Sequence, residues 1–185
     1  MMRVAKTLPV LLLLPLVVAA DEQSPPKGWK EMAPKNKAYI AWYPSDGKIE
    51  ESQDSIVSPK FGQIRIFRAH LERKDGSLFG TSQIILPPKL LKANAKVRQD
   101  FFRDVCLEEF RGKVVEEKKA KLGTMAGKEY LIKTPGGMAR FGLYGTGSQT
   151  FRVLIVGSKD QVQSKDADTF FTSFKRTPKT TPKDK

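Results

Sequence analysis

His70 is the only histidine and Cys106 the only cysteine among the 185 residues, so each must find any reactive partner far away in the chain. A catalytic histidine needs a nucleophile or a carboxylate within hydrogen-bond reach. Its neighbours Ala69 and Leu71 offer neither, and a solitary strand histidine is ordinarily a surface or half-buried residue. One histidine with one cysteine cannot make the four-ligand zinc sets built from those residue types. Cys106 falls between Phe102 and Phe110 on the apolar side of a helical segment. Burial is expected there, and burial disfavours the thiolate that reactivity requires. Asp100, Asp104 and Glu108 recur every four residues and line one helix face. Three such carboxylates could hold a divalent ion or exchange protons, but they repel one another unless neutralised. Lys96, Arg103 and Arg111 stand three or four positions from an acid, and no D-x-D-x-D-G loop supplies further oxygen ligands. A salt-bridged, solvated face is therefore expected. Gly145-Thr146-Gly147 and Pro135-Gly136-Gly137 lack the phosphate-binding lysine and the full dinucleotide fingerprint, and read as hairpin turns. There is no G-x-S-x-G elbow. No catalytic residue, metal ligand or cofactor is assigned from the sequence.

Charge is the feature that points to a partner. Lys and Arg number 33 against 20 acids, a formal charge of +13. Lys118, Lys119 and Lys121 share one charged strand, and Lys175, Arg176, Lys179, Lys183 and Lys185 load the C-terminal tail. These eight residues form a candidate anion-binding set, because fixed positive charge attracts acidic or phosphate-rich polymers. The competing reading is that the charge keeps the protein soluble and that lysines guard a sheet edge.

The N-terminus narrows which anions are relevant. Arg3 and Lys6 precede an unbroken apolar stretch from Leu8 to Ala20 that includes Pro9 and Pro15. Its 13 residues rise roughly 20 Å as a helix, short of the roughly 30 Å hydrocarbon core of a membrane. Val18, Ala19 and Ala20 supply small residues just before Asp21 and Glu22. This is the pattern of a cleaved secretory signal over residues 1–20, with no cysteine at the cleavage point for a lipid anchor. Export to the periplasm or outside the cell is expected, with no transmembrane segment once the signal is removed. An envelope protein, an anionic polymer or a lipid surface is then the expected partner, and nucleic acid is not. A single cysteine cannot close an intrachain disulfide, so the fold must rest on packing.

The elements that would position these residues follow from turn chemistry and hydrophobic period. Residues 21–37, with Pro25, Pro26 and Pro34, read as an extended lead-in pinned by Trp29 and Met32. Tyr39–Tyr43 is a short strand stopped at Pro44 and the Ser45-Asp46-Gly47 turn. Lys48–Ser58 reads as a solvated strand. Phe61–Arg73 is a long one whose apolar phase shifts between Ile66 and Phe67, which implies a bulge or burial of both faces. Lys74-Asp75-Gly76 turns the chain into Ser77–Leu86, ended by Pro87 and Pro88. Asn94–Arg111 is a helix capped by Asn94 and ended by Gly112, with Val97, Phe101, Phe102, Val105, Cys106 and Phe110 on one side. Strands at Lys113–Leu122, Gly127–Thr134, Met138–Tyr144 and Thr150–Val156 come next with short turns, an antiparallel meander. Ser164 caps a last helix in which Ala167, Phe170, Phe171 and Phe174 make one apolar stripe. One α+β domain over 38–175 is expected, a mostly antiparallel sheet flanked by a mid-chain helix and a C-terminal helix, with residues 176–185 a disordered basic tail.

Several of these residues carry a resemblance. They are Gly28-Trp29-Lys30-Glu31 with the strand through Tyr43-Pro44, then Gly112-Lys113-Val114-Val115, Glu117-Lys118-Lys119, Leu122-Gly123, Gly127-Lys128-Glu129, and Ser164-Lys165-Asp166-Ala167-Asp168 with Phe171, Ser173 and Phe174. Over about residues 28–175 the chain resembles small secreted bacterial domains of the PsbP-like α/β/α sandwich family. That is the fold of the extrinsic photosystem oxygen-evolving subunit and of a Ran-binding nuclear-import factor. The resemblance implies the sandwich fold and, by analogy with its relatives, a binding or assembly role without catalytic residues. The alternative is a small-ligand carrier or an enzyme whose site is too scattered to read in sequence.

Overall fold

The computed structural model describes residues 24–178. The expected signal segment 1–20 and the tail residues Lys179, Lys183 and Lys185 lie outside the described residues. The strands are β1 (Trp29–Met32), β2 (Tyr39–Pro44), β3 (Glu50–Ser58), β4 (Gly62–Glu72), β5 (Leu78–Ile85), β6 (Lys113–Leu122), β7 (Met125–Thr134), β8 (Gly137–Gly145), β9 (Gln149–Gly157) and β10 (Lys175–Arg176). The helices are α1 (Pro88–Leu91) and α2 (Ala95–Glu109) between β5 and β6, and α3 (Lys159–Val162) and α4 (Lys165–Ser173) after β9. Among the described residues no helix is long and apolar enough to cross a membrane.

Seven strands form an antiparallel sheet in the order β3-β4-β5-β9-β8-β7-β6. The meander of β6 to β9 and the β3–β4–β5 hairpins meet along β5 and β9, which places β9 at the centre. Its almost wholly apolar run is explained by that position, since both faces of a central strand are covered. On one face Phe151, Val153 and Ile155 meet Ala167, Phe170, Phe171 and Phe174 of the α4 segment, with Tyr39 and Tyr43 of β2. On the other, Leu154 joins Leu90 of α1 and Phe102 and Cys106 of α2. The phase shift in β4 has the second of its two explanations. Its register with β3 and β5 is unbroken, and Ile64 and Ile66 serve the α2 face while Ala69 and Leu71 serve the α4 face.

Around β2 the structure departs from the sequence reading. β2 leaves the main sheet and forms a three-stranded one with β1 and β10. The lead-in 21–37 therefore contains a strand, pairing Trp29–Met32 with Pro44–Ala41. Strand pairing runs on past residue 175, because Arg176 pairs with Tyr39 and the Thr177 N–H donates to Ala38 O at 3.1 Å. Both segments are too short to show a period of their own and are ordered by β2. Ser173 ties the same region together, accepting from Trp42 N–H at 2.9 Å while donating to Phe170 O at 2.8 Å. The Tyr39 and Tyr43 hydroxyls share Thr81 Oγ1 at 2.6 and 2.7 Å, and burial pushes the Tyr39 phenol up to about 12.

α2 begins as expected, with Asn94 Oδ1 accepting from Val97 N–H at 2.9 Å. Its end differs. The left-handed residue is Arg111, at φ +47°, not Gly112. Arg111 N–H and Gly112 N–H return to Glu108 O and Leu107 O at 3.1 and 2.8 Å, a Schellman closure. Gly112 is needed for room, since a Cβ there would stand 2.6 Å from Ile132 Cδ1. The apolar side of α2 is only partly covered, with Phe102 and Cys106 buried and Val97, Phe101 and Phe110 half-buried.

Candidate functional site

β6 ends the main sheet, so its lysines sit on an edge. From Glu116 to Leu122 it pairs with β7 in regular register, after a bulge at Val115. Alternation sends Lys118 to the α4 face, beside Glu129, and Lys119 and Lys121 to the α2 face. The structure splits the sequence-derived set. Lys118, Lys119 and Lys121 lie together on β6, whereas Lys175 and Arg176 form β10 in the smaller sheet.

Two lysines on β6 meet lysines on β7. Lys113 is opposite Lys133, and Lys119 is opposite Lys128. Like charges directly across a ladder destabilise it. Lys128 is relieved by Glu117, whose Oε1 accepts from Nζ at 2.5 Å, and this bond raises the Lys128 pKa. Lys113, Lys119, Lys121 and Lys133 form no ion pair among the described residues. Lys118 reaches Glu129 at 3.3 Å, but that carboxylate is already shared. It accepts from Arg140 Nη2 at 3.1 Å and from the Tyr144 hydroxyl at 2.9 Å. Gly142 makes this possible, because a Cβ there would come within 2.5 Å of the Tyr144 ring. Arg140 in turn donates to Asp168 of α4 at 2.6 Å, and its guanidinium lies 4.4 Å from the Phe171 ring centre. Burial opposes the Arg140 charge, yet the bonds to Asp168 and Glu129 outweigh it and raise its pKa. The edge strand thus holds Lys118 in a network and leaves Lys113, Lys119 and Lys121 without an ion pair among the described residues, with Glu116 the one unpaired acid beside them.

A second charged cluster lies under the C-terminal end of α2. Register aligns Arg68 of β4, Ser82 of β5 and Arg152 of β9 in one row across the sheet. The Arg152 side chain is only 7% exposed. Its Nη1 donates to Glu109 Oε2 at 2.5 Å, and Arg68 Nη1 donates to Glu109 Oε1 at 3.4 Å. Asp54 stands 3.4 Å from Arg68 Nε, but misaligned, and Nε of both arginines is buried without a hydrogen-bond partner. A cavity of about 220 Å³ adjoins the cluster, lined by Arg68, His70, Ser82, Glu109 and Arg152 among others. The clue in sequence was a lone arginine inside the Phe151–Val156 run, the one charge in an otherwise apolar strand.

The other candidates resolve into local structure. His70 is 40% exposed on its side chain and lies 3.9 Å from Glu50. Asp100 is held by Lys96 at 2.6 Å and Arg103 at 3.1 Å, and Asp104 by Arg103 at 2.7 Å. Two of the three carboxylates of the α2 ladder, Asp100 and Asp104, are salt-bridged, whereas Glu108 is exposed and forms no ion pair among the described residues, with Arg111 or otherwise. Cys106 is buried, with Sγ 3.5 Å from Arg152 Nη1, and burial pushes its thiol up. Iodoacetamide at neutral pH should therefore label Cys106 only when the protein unfolds. Labelling of the native protein as fast as of a free thiol would show that the end of α2 opens.

No family model matches the chain, and no curated protein does. The solution structure of cyanobacterial PsbP from Synechocystis sp. PCC 6803 is similar, with 8% identity, a TM-score of 0.56, and coverage of 86% of this chain and 99% of that one. A Bacteroides thetaiotaomicron crystal structure matches at 15% identity and a TM-score of 0.43, with 82% of this chain covering 50% of that one. The fold is PsbP-like, an α+β arrangement of antiparallel sheet and flanking helices, as the sequence resemblance implied.

Proposed function

We propose that the protein is an exported, non-enzymatic binding or assembly module of the cell envelope that recognises an anionic partner through its β6 edge. The observation that carries this reading is the pairing of lysine against lysine across β6 and β7, at Lys113–Lys133 and Lys119–Lys128. Lys113 against Lys133 costs stability in the isolated protein, and among the described residues Lys119 stands without a carboxylate partner beside the Glu117-paired Lys128, so an arriving anion relieves both. The net positive charge, +13 for the full chain and two less once Arg3 and Lys6 leave with the signal, acts in the same direction, and the signal-like N-terminus directs the protein to envelope polymers, lipids and proteins. PsbP-like proteins supply a precedent for an accessory role by analogy of fold. A small-ligand carrier would use the cavity at Arg152. Its guanidiniums already face Glu109 and Asp54, so the uncompensated charge lies at the edge.

The test is binding of the signal-free protein to polyglutamate, polyphosphate and anionic vesicles across a salt series. Three proteins are compared: the parent, a truncation after Pro178 that keeps β10 intact, and the Lys119→Glu/Lys121→Glu variant. Binding that falls steeply with salt and is lost in the β6 variant is expected, because ion release drives such association. Absence of binding at low salt would sink the reading, and loss in the truncation alone would move the site to the tail.

A further inference from the structure

We infer that β6 is a docking edge for an acidic peptide in extended conformation, which joins the sheet as an eighth strand. This inference rests on the reading above and specifies the partner and the way it is held. β6 is the outermost strand, and every residue from Lys113 to Lys119 is exposed. Its outer side presents alternate N–H and C=O groups with no strand beside them among the described residues, which is the template that strand addition uses. Seven residues from Glu116 to Leu122 keep regular register, and beyond them the exposed Val114 and Val115 offer apolar contact at one end.

The distribution of charge selects this occupant over others. A strand laid roughly 4.8 Å from β6 sends successive side chains to opposite faces of the sheet. The α2 face offers Lys119 and Lys121, without ion pairs among the described residues, and the α4 face offers Lys113 and the Glu129-paired Lys118, with the exposed Glu116 between them. A lipid surface is flat and meets one face only, so it leaves half of these lysines unused. A second copy of the chain offers its own acidic edge, since β3 carries Glu50, Glu51 and Asp54 and no base. Those acids are engaged at home, Glu50 near His70, Glu51 by Lys35 N–H and Asp54 near Arg68. The net positive charge, +13 for the full chain and two less without Arg3 and Lys6 of the signal-like segment, opposes self-association as well. Edge lysines repel basic strands and would be desolvated without partners by neutral ones, and the same charge admits an acidic strand, so the row acts as a filter.

The experiment uses two short peptides of equal charge. One repeats glutamate-glutamate-threonine-threonine, so that carboxylates fall on both faces and threonine amides on both sides, and the other carries proline in place of each threonine. Both are titrated into the signal-free full chain at low salt while backbone amide exchange in β6 is monitored by NMR, with polyphosphate as a parallel probe. The expected result is slowed exchange at every second β6 amide, those not already bonded to β7. The proline peptide should bind roughly tenfold more weakly or worse, because it cannot supply the ladder hydrogen bonds. Equal binding of the two peptides with unchanged β6 exchange would overturn strand addition and leave an anion-binding module that works through side chains. Polyphosphate binding without peptide binding would overturn it too. Concentration-dependent dimerisation that slows exchange in β3 and β6 together would assign the edge to a second copy. Failure of every anion to bind would remove the parent reading itself.

Discussion

Glu109→Ala is expected to destabilise the protein by about 3 kcal/mol, measured as a fall in the urea midpoint at unchanged slope. The cause is electrostatic. Glu109 is the carboxylate between two guanidiniums, and Arg152 on the central strand β9 is nearly sealed from water. Arginine cannot shed its proton to escape, so the variant strands a buried charge. Alanine suits the helix, so little of the loss comes from propensity. The Glu109 side chain is 29% exposed, which lets water compensate in part and sets the expectation at the lower end of the range for breaking buried pairs. The double variant Arg152→Met/Glu109→Ala should recover most of the loss, because an apolar chain of similar length removes the charge that needed a partner. A single-variant effect below about 0.5 kcal/mol would show that Arg152 is solvated, and that the row Arg68–Ser82–Arg152 is a surface feature.

The legible and the hidden parts of this fold divide along physical lines. Hairpins announced themselves through Gly76, Gly123 and Gly137, and each lies at positive φ in the structure. The Phe170/Phe171/Phe174 stripe identified the last helix because a 3.6-residue period has no other use there. The small sheet was hidden. β10 has two residues and β1 four, too few for alternation to be seen, and both depend on β2 for their hydrogen bonds. Arg152 was hidden for the opposite reason, as one charge in a strand whose apolar signal was strong. Its partner Glu109 sits 43 positions away and shows no sign of the pairing. The lysines were visible as composition. Their division between the two faces of β6, and their register opposite Lys128 and Lys133, depend on the bulge at Val115. Nothing in the run Lys113–Leu122 marks where that bulge falls.

Phe171→Ala should cost about 3–5 kcal/mol, the range for deleting a buried aromatic ring, and Thr172→Ala, one position along and exposed, less than about 0.5 kcal/mol. Phe171 is 3% exposed and sits in the layer between the sheet and the three-stranded unit. Its ring meets Phe170 edge-on at 6.4 Å, and Phe170 in turn meets Tyr43 and Phe79 at 5.0 and 5.3 Å. Loosening α4 also strains the small sheet, since Phe174 stacks on Tyr39 at 4.9 Å and leads directly into β10. The same substitution removes the ring beneath Arg140, a contact worth about 1 kcal/mol when partly desolvated. Arg140 reaches the edge only through Glu129 and Lys118, on the α4 face. Lys119 and Lys121 point to the other face and owe nothing to that chain of contacts. The variant that remains folded at low temperature should therefore bind polyglutamate within about twofold of the parent, despite its large loss of stability. A parallel collapse of binding would mean that the α4-face lysines, Lys113 and Lys118, dominate recognition, and that α4 sets the geometry of the edge from beneath.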